Sequence, residues 1–578
     1  MELVSSTTPT LNPAPGSLTE PPADNALLRT FVRWRWLIFT LVALLQLSAF
    51  NNHWRIGRDG ALYRTVAHSL VTDQGYTFRG ERENHIFPGL PRLLAAIETV
   101  FGPQDPLHPT ASLVILLAIA ALTLVVIYHL VKTLFPPWIA VCVTTGVGIN
   151  YSFMEQAHDF MTDVPFLLGV CLTLLGLAKF NRTTSIPRRL LALGLLLLGA
   201  ILTVSMRPTF WALALPCVLL CLIGMVRSRR RLWYAAGILA LLALLALWWL
   251  LDPRTTGFHP LAGKYERMAL ARLHDLAAMH AHGDFLLIIE KHFPIGILGV
   301  ELIFPFGTLF FLSTVAWTLI LFRKSPLVSL YILSTILMTF IIGAKARYYL
   351  MALPFILVTW ALAVHYTAHW FKRWRLGPEI LMLLGLGVAT APNVVRCIGF
   401  ALEQHGIDYH GSRKPFLEVY RDGSMAPVYQ ISQIIRQYVP AGQRVLGIED
   451  RITTYLSGRS VYQPTAIIQR SRVPQWRQLL RKAKVHYLVF GPDLQKEDPL
   501  LNKLLTRQVV EIDQVLFTQG GISLARIRIP DGPPPTRVSR HPRVHPPTTR
   551  PTTRRVRPHP RRVTPIPATA PATAPTRP

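Results

Sequence analysis

The chain has 578 residues, of which 51% are hydrophobic and 16% charged, against roughly 25% charged in soluble domains; its mean hydropathy is +0.34. That balance excludes an ordinary soluble globular protein. The 60 Lys and Arg against 31 Asp and Glu leave a formal charge of +29, so phosphates, anionic lipid and nucleic acid are all weighed by where those charges fall.

In chain order, residues 1–28 are rich in Pro, Ser, Thr and Ala without apolar periodicity and read as a disordered cytoplasmic tail. An apolar run at 34–50 follows Arg29, Arg33 and Arg35 and has no small-residue cleavage site after it, so it reads as an uncleaved first span. Runs of spanning length recur at 111–134, 138–154, 163–180, 190–206, 209–226, 232–251, 295–322, 326–344, 348–370 and 377–400, about eleven spans in all. Basic clusters at Lys179/Arg182/Arg188/Arg189, Arg227/Arg229/Arg230/Arg231, Arg323/Lys324 and Lys372/Arg373/Arg375 then share one side with the N-terminus, which the positive-inside rule makes the cytoplasm. The other side receives loops at about 51–110 and 252–294 and everything after the spans. The five cysteines, Cys142, Cys171, Cys217, Cys221 and Cys397, have neither CxxC nor zinc-ligand spacing and read as small apolar side chains.

Residues 411–530 have the composition of a soluble α/β domain: an amphipathic helix at 428–438, buried strands at 444–448 and 485–490, and a helix at 476–484. No GxGxxG or P-loop fingerprint is present. Residues 531–578 hold 14 Pro and 10 Arg and read as a disordered tail. Nucleic acid is disfavoured as a partner, because this basic tail falls outside the cytoplasm and has no interleaved aromatics.

Ionisable groups at the outer membrane boundary carry the functional information, since each is unfavourable there unless hydrated, paired or used. The first is Asp59, soon after the first span, with Tyr63 four residues on and His85 in the stretch 85–91. A helix N-cap with Tyr63, Val66 and Leu70 as the apolar face is the bland reading of Asp59. A loop at 155–163 carries Glu155, His158, Asp159 and Asp163, with Glu155 and Asp159 on one face if the segment is helical. Those two suit a divalent metal or an acceptor contact; a hydrated loop with Asp163 as an N-cap suits them equally. Glu301 lies inside the eighth apolar run and is a functional candidate on that ground. The histidines of the 252–294 loop have irregular spacing and read as solvated.

The order of these features resembles a known family. A span, Asp59 and Tyr63, Ala-x-Ser-Leu at 67–70, Gly-Tyr-x-Phe-x-Gly at 75–80, Pro-Gly-x-Pro at 88–91, an amphipathic helix ending Phe101-Gly102 and a second span together resemble the first outer loop of GT-C membrane glycosyltransferases. The similarity is to the dolichyl-phosphate-mannose protein mannosyltransferase and aminoarabinose transferase group. Thr162-Asp163-Val164-Pro165, Arg207-Pro208-Thr209 and Arg347-Tyr348-Tyr349 fit the same order. The resemblance implies a polytopic α-helical membrane protein with a small C-terminal extracytoplasmic α/β domain. It also implies transfer of a sugar, with inversion, from a polyprenyl-phosphate donor to a lipid, glycan or protein acceptor outside the inner (plasma) membrane. Asp59 would then be the general base, and Lys345, Arg347 and Arg207 the cations that receive the leaving phosphate. Protein mannosyltransferases commonly place a second acid directly after that aspartate; here Gly60 follows, which weakens the case for a protein acceptor. The rival readings are a transporter or flippase for an anionic or lipid-linked substrate and a catalytically inactive envelope scaffold. No repeat relates the halves, as transporters usually require.

Overall fold

A computed structural model of the chain describes residues 26–222, 288–407 and 425–531, apart from positions 55, 84–85, 184, 211, 215, 220–221, 303–304, 323–324, 343–345, 371–377, 469–472, 492–493, 495–498 and 520. The expected span at 232–251, most of the 252–294 loop, nearly all of both expected tails, and the candidates Lys345 and His85 lie outside the described residues.

The membrane part begins with α1 (Ala26–Arg33) and α2 (Arg35–Ser48), so residues 26–28, expected to be disordered, are helical. The loop expected on the outer side folds into α3 (Arg58–Val71), a hairpin of β1 (Thr77–Phe78) and β2 (Glu81–Arg82), and α4 (Gly89–Phe101). There follow α5 (Thr110–Leu134), α6 (Pro137–Gly148), α7 (Tyr151–Ala157), α8 (Asp163–Arg182) and α9 (Ile186–Met206). After the undescribed stretch come α10 (Phe293–Leu298), α11 (Phe306–Phe322), α12 (Pro326–Ile342), a 3-10 turn Ala346–Met351, α13 (Leu353–Trp370) and α14 (Pro378–Gln404).

Two expected spans are broken. The run 138–154 divides between α6 and α7, because the Asn150 carboxamide oxygen accepts from the Phe153 amide at 3.1 Å and caps a new helix. The run 295–322 divides at Gly299, which ends α10 in the left-handed region at φ 75°. The Asn150 and Asn393 side chains then satisfy the carbonyls freed there: the Asn150 amide reaches Gly296 O and Ile297 O at 3.3 and 3.1 Å, and that of Asn393 reaches Ile297 O at 3.1 Å. In hydrocarbon, a helix break persists only with such internal partners.

Among the described residues, three helices are long and apolar enough to cross a membrane, α5, α8 and α9. The most apolar stretch of α8 is 89% buried, against 39% and 33% for α5 and α9, so α8 is the central post and its neighbours face outward. On α2, Leu37, Leu41, Leu44 and Leu47 form an exposed stripe at helical spacing, and α9 exposes Leu190, Leu191, Leu198 and Ile201. Water would not tolerate apolar surface on that scale, and lipid does.

The C-terminal part is a five-stranded mixed sheet, ordered β4-β3-β5-β7-β6, built from β3 (Arg444–Leu446), β4 (Ser460–Tyr462), β5 (Val485–Phe490), β6 (Glu511–Gln519) and β7 (Ile522–Arg528). The first three pair in parallel and the last two antiparallel. Helices α15 (Met425–Tyr438), α16 (Asp450–Ser457), α17 (Pro464–Ile468), α18 (Val473–Lys482) and α19 (Pro499–Thr506) accompany them. Of these, α16 packs on α3, and that joint brings the sheet domain to the outer loop.

The α8–α9 contact is close because glycines face backbone. A Cβ on Gly176 would lie 2.5 Å from the Leu196 amide nitrogen, and one on Gly169 2.5 Å from the Thr203 hydroxyl. Gly194 on α9 has nothing within 4 Å. Gly176→Val is therefore expected to lower stability by about 3 kcal/mol or more, while Gly194→Ala leaves it unchanged or slightly raised. Thermal unfolding midpoints in detergent micelles measure both.

Candidate active site

The site is built from the first turn of α3. No side chain caps this helix; its N-cap is Gly57, so the capping role open to Asp59 is not the one it takes. Gly57 and Gly60 are needed because the turn presses on Trp54, Asp159 and Phe160. A Cβ on Gly60 would stand 2.8 Å from the Trp54 ring, and one on Gly57 3.1 Å from the Asp159 carboxylate. The residue after Asp59 thus has no room for the second acid that the resemblance led us to look for. Trp54, fully buried, fixes this seat: its indole N–H donates to Asp159 Oδ1 at 2.9 Å, and its ring meets Phe160 and Tyr455 edge-on.

Asp59 projects from that turn between two guanidiniums. Arg347 Nη2 donates to Oδ2 at 3.3 Å, and Arg451 Nη1 donates to Oδ1 at 2.7 Å. Arg347 belongs to the 3-10 turn that leads into α13, whereas Arg451 belongs to α16 of the sheet domain. Behind them lies a second ion pair. Arg207, which ends α9, donates from Nε to the Thr162 hydroxyl at 2.7 Å and from Nη2 to Asp163 Oδ2 at 2.8 Å, and both charged residues are buried. The guanidinium carbons of Arg207 and Arg347 lie 5.5 and 5.6 Å from the centre of the Tyr348 ring. Burial works against the charge of Arg347, but Asp163, Tyr348 and Asp59 outweigh it and raise its pKa. Tyr63 sits within the field of Asp59, Arg207, Asp163 and Arg347; burial, reinforced by the Asp59 carboxylate, pushes its phenol up to about 12. It is a protonated hydrogen-bond donor at neutral pH.

Three guanidiniums therefore face two carboxylates, and the polar atoms are not all used: the donors Arg207 Nη1 and Arg347 Nε and the acceptor Asp163 Oδ1 are buried without a hydrogen-bond partner. An excess of fixed, unsatisfied cationic donors beside a carboxylate suits an incoming oxyanion.

The structure thus gathers Asp59, Tyr63, Asp163, Arg207 and Arg347; Asp159 lies against the Gly57 and Gly60 backbone of the same turn, while Glu155 and Glu301 are engaged elsewhere. Helix α7 ends at Ala157, before Asp159, so Glu155 and Asp159 do not share a helical face. Asp159 holds Trp54 and, at 2.7 Å, the Phe160 amide; Glu155 accepts from the Tyr151 hydroxyl at 3.5 Å. Among the described residues no group of three or more His, Cys, Asp or Glu is gathered for a metal; both Asp59 oxygens and Asp163 Oδ2 already face guanidiniums, which leaves Asp163 Oδ1 as a single buried, unpartnered carboxylate oxygen. That donor set does not fit a divalent ion. Glu301 lies outside the helices, in the break after α10, where it pairs with Lys291 at 3.0 Å and its side chain is 60% exposed.

Sequence reasoning missed Arg451 and Trp54. Arg451 sits in an eight-residue amphipathic helix of the sheet domain whose local pattern does not point to a site in a loop nearly 400 residues earlier, and only tertiary packing carries it there. Asp163→Asn would leave the Arg207 guanidinium buried beside an uncharged partner and is expected to cost about 3–5 kcal/mol. The double variant Asp163→Asn/Arg207→Gln should recover at least half of that, read as unfolding midpoints in micelles.

No protein-family model and no curated protein sequence matches the chain. Solved structures do. The archaeal oligosaccharyltransferase AglB of Archaeoglobus fulgidus, in complex with an inhibitory peptide and a dolichol-phosphate, superposes with a TM-score of 0.56 at 12% identity, over 86% of this chain and 75% of that one. ArnT of Cupriavidus metallidurans gives a TM-score of 0.52 in its apo state at 13% identity and 0.51 bound to undecaprenyl phosphate at 12%, each over 86% of this chain and 98% of that one. With these likenesses and its lipid-facing helices, the chain is a polytopic helical membrane protein with the GT-C fold that its ordered motifs resemble.

Proposed function

We propose that the protein is an inverting glycosyltransferase of the inner membrane. It takes a sugar from a polyprenyl-phosphate donor and passes it to a lipid, glycan or protein hydroxyl on the outer face. About eleven spans, with the N-terminus cytoplasmic and the sheet domain outside, place the Asp59 cluster at the outer boundary. One observation carries the reading: a carboxylate and an excess of buried guanidinium donors meet at the ends of membrane helices. In support, solved structures of this fold were determined with dolichol-phosphate and with undecaprenyl phosphate.

The chemistry needs two opposed functions close together. Asp59 takes the proton of the acceptor hydroxyl as its oxygen attacks the anomeric carbon. The bond from that carbon to the phosphate oxygen breaks on the opposite face, which inverts the centre, and the departing polyprenyl phosphate gains charge. Arg347 is the residue best placed to receive it, because it is cationic, already beside the base, and has a nitrogen to spare. Arg207 spends two of its nitrogens on Thr162 and Asp163, so it acts chiefly by fixing the field, with one nitrogen left for the phosphate. The Tyr63 phenol supplies a further donor to the same space. Lys345, two residues before Arg347, remains a candidate phosphate ligand, and His85 an acceptor contact.

Asp59→Asn in reconstituted vesicles is expected to lower turnover of an undecaprenyl-phosphate-linked sugar by about 10²–10⁴ while undecaprenyl phosphate binding persists. Arg347→Gln should weaken that binding. Wild-type turnover by Asp59→Asn, or consumption of lipid-linked sugar only when an ion gradient is imposed, would remove the transferase reading.

A further inference from the structure

Within the membrane part, helices α2 and α5 both pack on α6. Between them runs a groove of about 330 Å³ with Thr144 of α6 and Phe153 of α7 in its wall, and none of its lining residues belongs to the Asp59 cluster. One end is aromatic: Phe39 of α2 meets Tyr128 of α5 edge-on at 5.4 Å, beside Trp36. From Trp36 to Gln46 the groove follows α2 for about 15 Å. Val42, Ala43, Ala120 and Leu124 make that stretch apolar, and among the described residues no Lys, Arg, Asp or Glu lines it.

Two polar atoms in this wall are left unmet. Gln46 is 7% exposed and Thr144 4%, and both Gln46 Oε1 and the Thr144 hydroxyl are buried without a hydrogen-bond partner. The way Gln46 turns is fixed, because its Nε2 donates to Gly148 O at 2.6 Å and only the nitrogen of a carboxamide can serve a carbonyl. Gly148 has to be glycine for α2 to come so close, since a Cβ there would collide with Val42 Cγ1. Thr144 departs from Thr123, Thr173, Thr203 and Thr314, each of which returns its hydroxyl to the carbonyl four residues earlier at 2.7–2.8 Å. Gly148 and Thr144 are one helical turn apart, so both unmet atoms stand at the Gln46 end of the groove. In hydrocarbon such atoms are costly unless something supplies their hydrogen bonds.

We infer that this groove binds a neutral lipid alcohol, its alkyl chain lying between α2 and α5 and its hydroxyl meeting Gln46 and Thr144. A hydroxyl donates to the Gln46 carboxamide oxygen and accepts from Thr144, so one small group answers both. A plain hydrocarbon chain fills the volume and leaves both atoms unmet. An ionised phosphate or carboxylate head has no proton for Gln46 Oε1 and finds no cation in the wall. The groove is therefore distinct from the site of a lipid phosphate, and the inference stands apart from the chemistry assigned to Asp59.

Tritiated hexadecanol bound to the full-length protein in phosphatidylcholine nanodiscs, followed by scintillation proximity with unlabelled competitors, tests this. Unlabelled hexadecanol should displace the label saturably. Hexadecyl methyl ether keeps the chain and the acceptor oxygen but has no donor; it should compete about tenfold more weakly, because it leaves Gln46 Oε1 unmet. Hexadecyl phosphate should not compete. Gln46→Leu and Thr144→Val should each weaken hexadecanol by about fivefold, and in Gln46→Leu the advantage of the alcohol over the ether should fall below about twofold. Ala43→Trp, which fills the groove from its exposed rim, should abolish saturable binding with both polar residues in place. Equal competition by alcohol and ether in the unaltered protein would leave the two atoms to water and overturn the inference. Displacement by hexadecyl phosphate, or label that no competitor displaces, would overturn it as well, and neither of these comparisons depends on a variant that has to fold.

Discussion

Everything in the proposed chemistry depends on one carboxylate held between two guanidiniums from parts of the chain 288 and 392 residues distant from it. Asp59 comes from the first turn of α3, Arg347 from the lead-in to α13, and Arg451 from the sheet domain. A charge at this depth is stable only when paired, so all three elements must be seated before the site exists. The fold can be read as the set of constraints that brings them there: Trp54 and two glycines seat α3, the breaks at Asn150 and Gly299 let polar backbone persist within an apolar bundle, and Asp163 with Arg207 ties α8 to the end of α9.

The two ion pairs divide the work. Asp163 and Arg207 are nearly inaccessible, and Arg207 donates to the Thr162 hydroxyl as well as to Asp163, which suits a permanent brace. Asp59, Arg347 and Arg451 are partly exposed, with side-chain accessibilities of 37, 24 and 34%, which suits partners that exchange when substrates arrive. Tyr348 lies near the guanidiniums of both pairs, between the buried brace and the exposed cluster.

Much of the site was legible in the sequence because apolar runs make charges at their ends conspicuous. Asp59, Asp163, Arg207 and Arg347 each stand near the margin of such a run, where a charge is easily seen against its apolar neighbours. Strand 485–490 was equally visible as a short β-branched and aromatic run. The helix breaks were not legible: the runs 138–154 and 295–322 are continuous in hydropathy, and a single Asn cap or left-handed Gly leaves that average almost untouched. Glu301 shows the same effect, since hydropathy places it inside a continuous run where the backbone has in fact left the helix. Arg451 was invisible because nothing local distinguishes it among the basic residues of the sheet domain; its position is decided by the packing of Tyr455, Asp450 and their partners on a loop nearly 400 residues earlier. Gly60, legible only as a missing acid, became intelligible once the Trp54 ring was found in the space a side chain would need.

The account is tested most directly by locating the phosphorus of undecaprenyl phosphate bound to the full-length protein in nanodiscs by cryo-electron microscopy. The phosphate is expected within hydrogen-bond distance of Arg347. A phosphate bound elsewhere, with Arg347 still paired to Asp59, would contradict it.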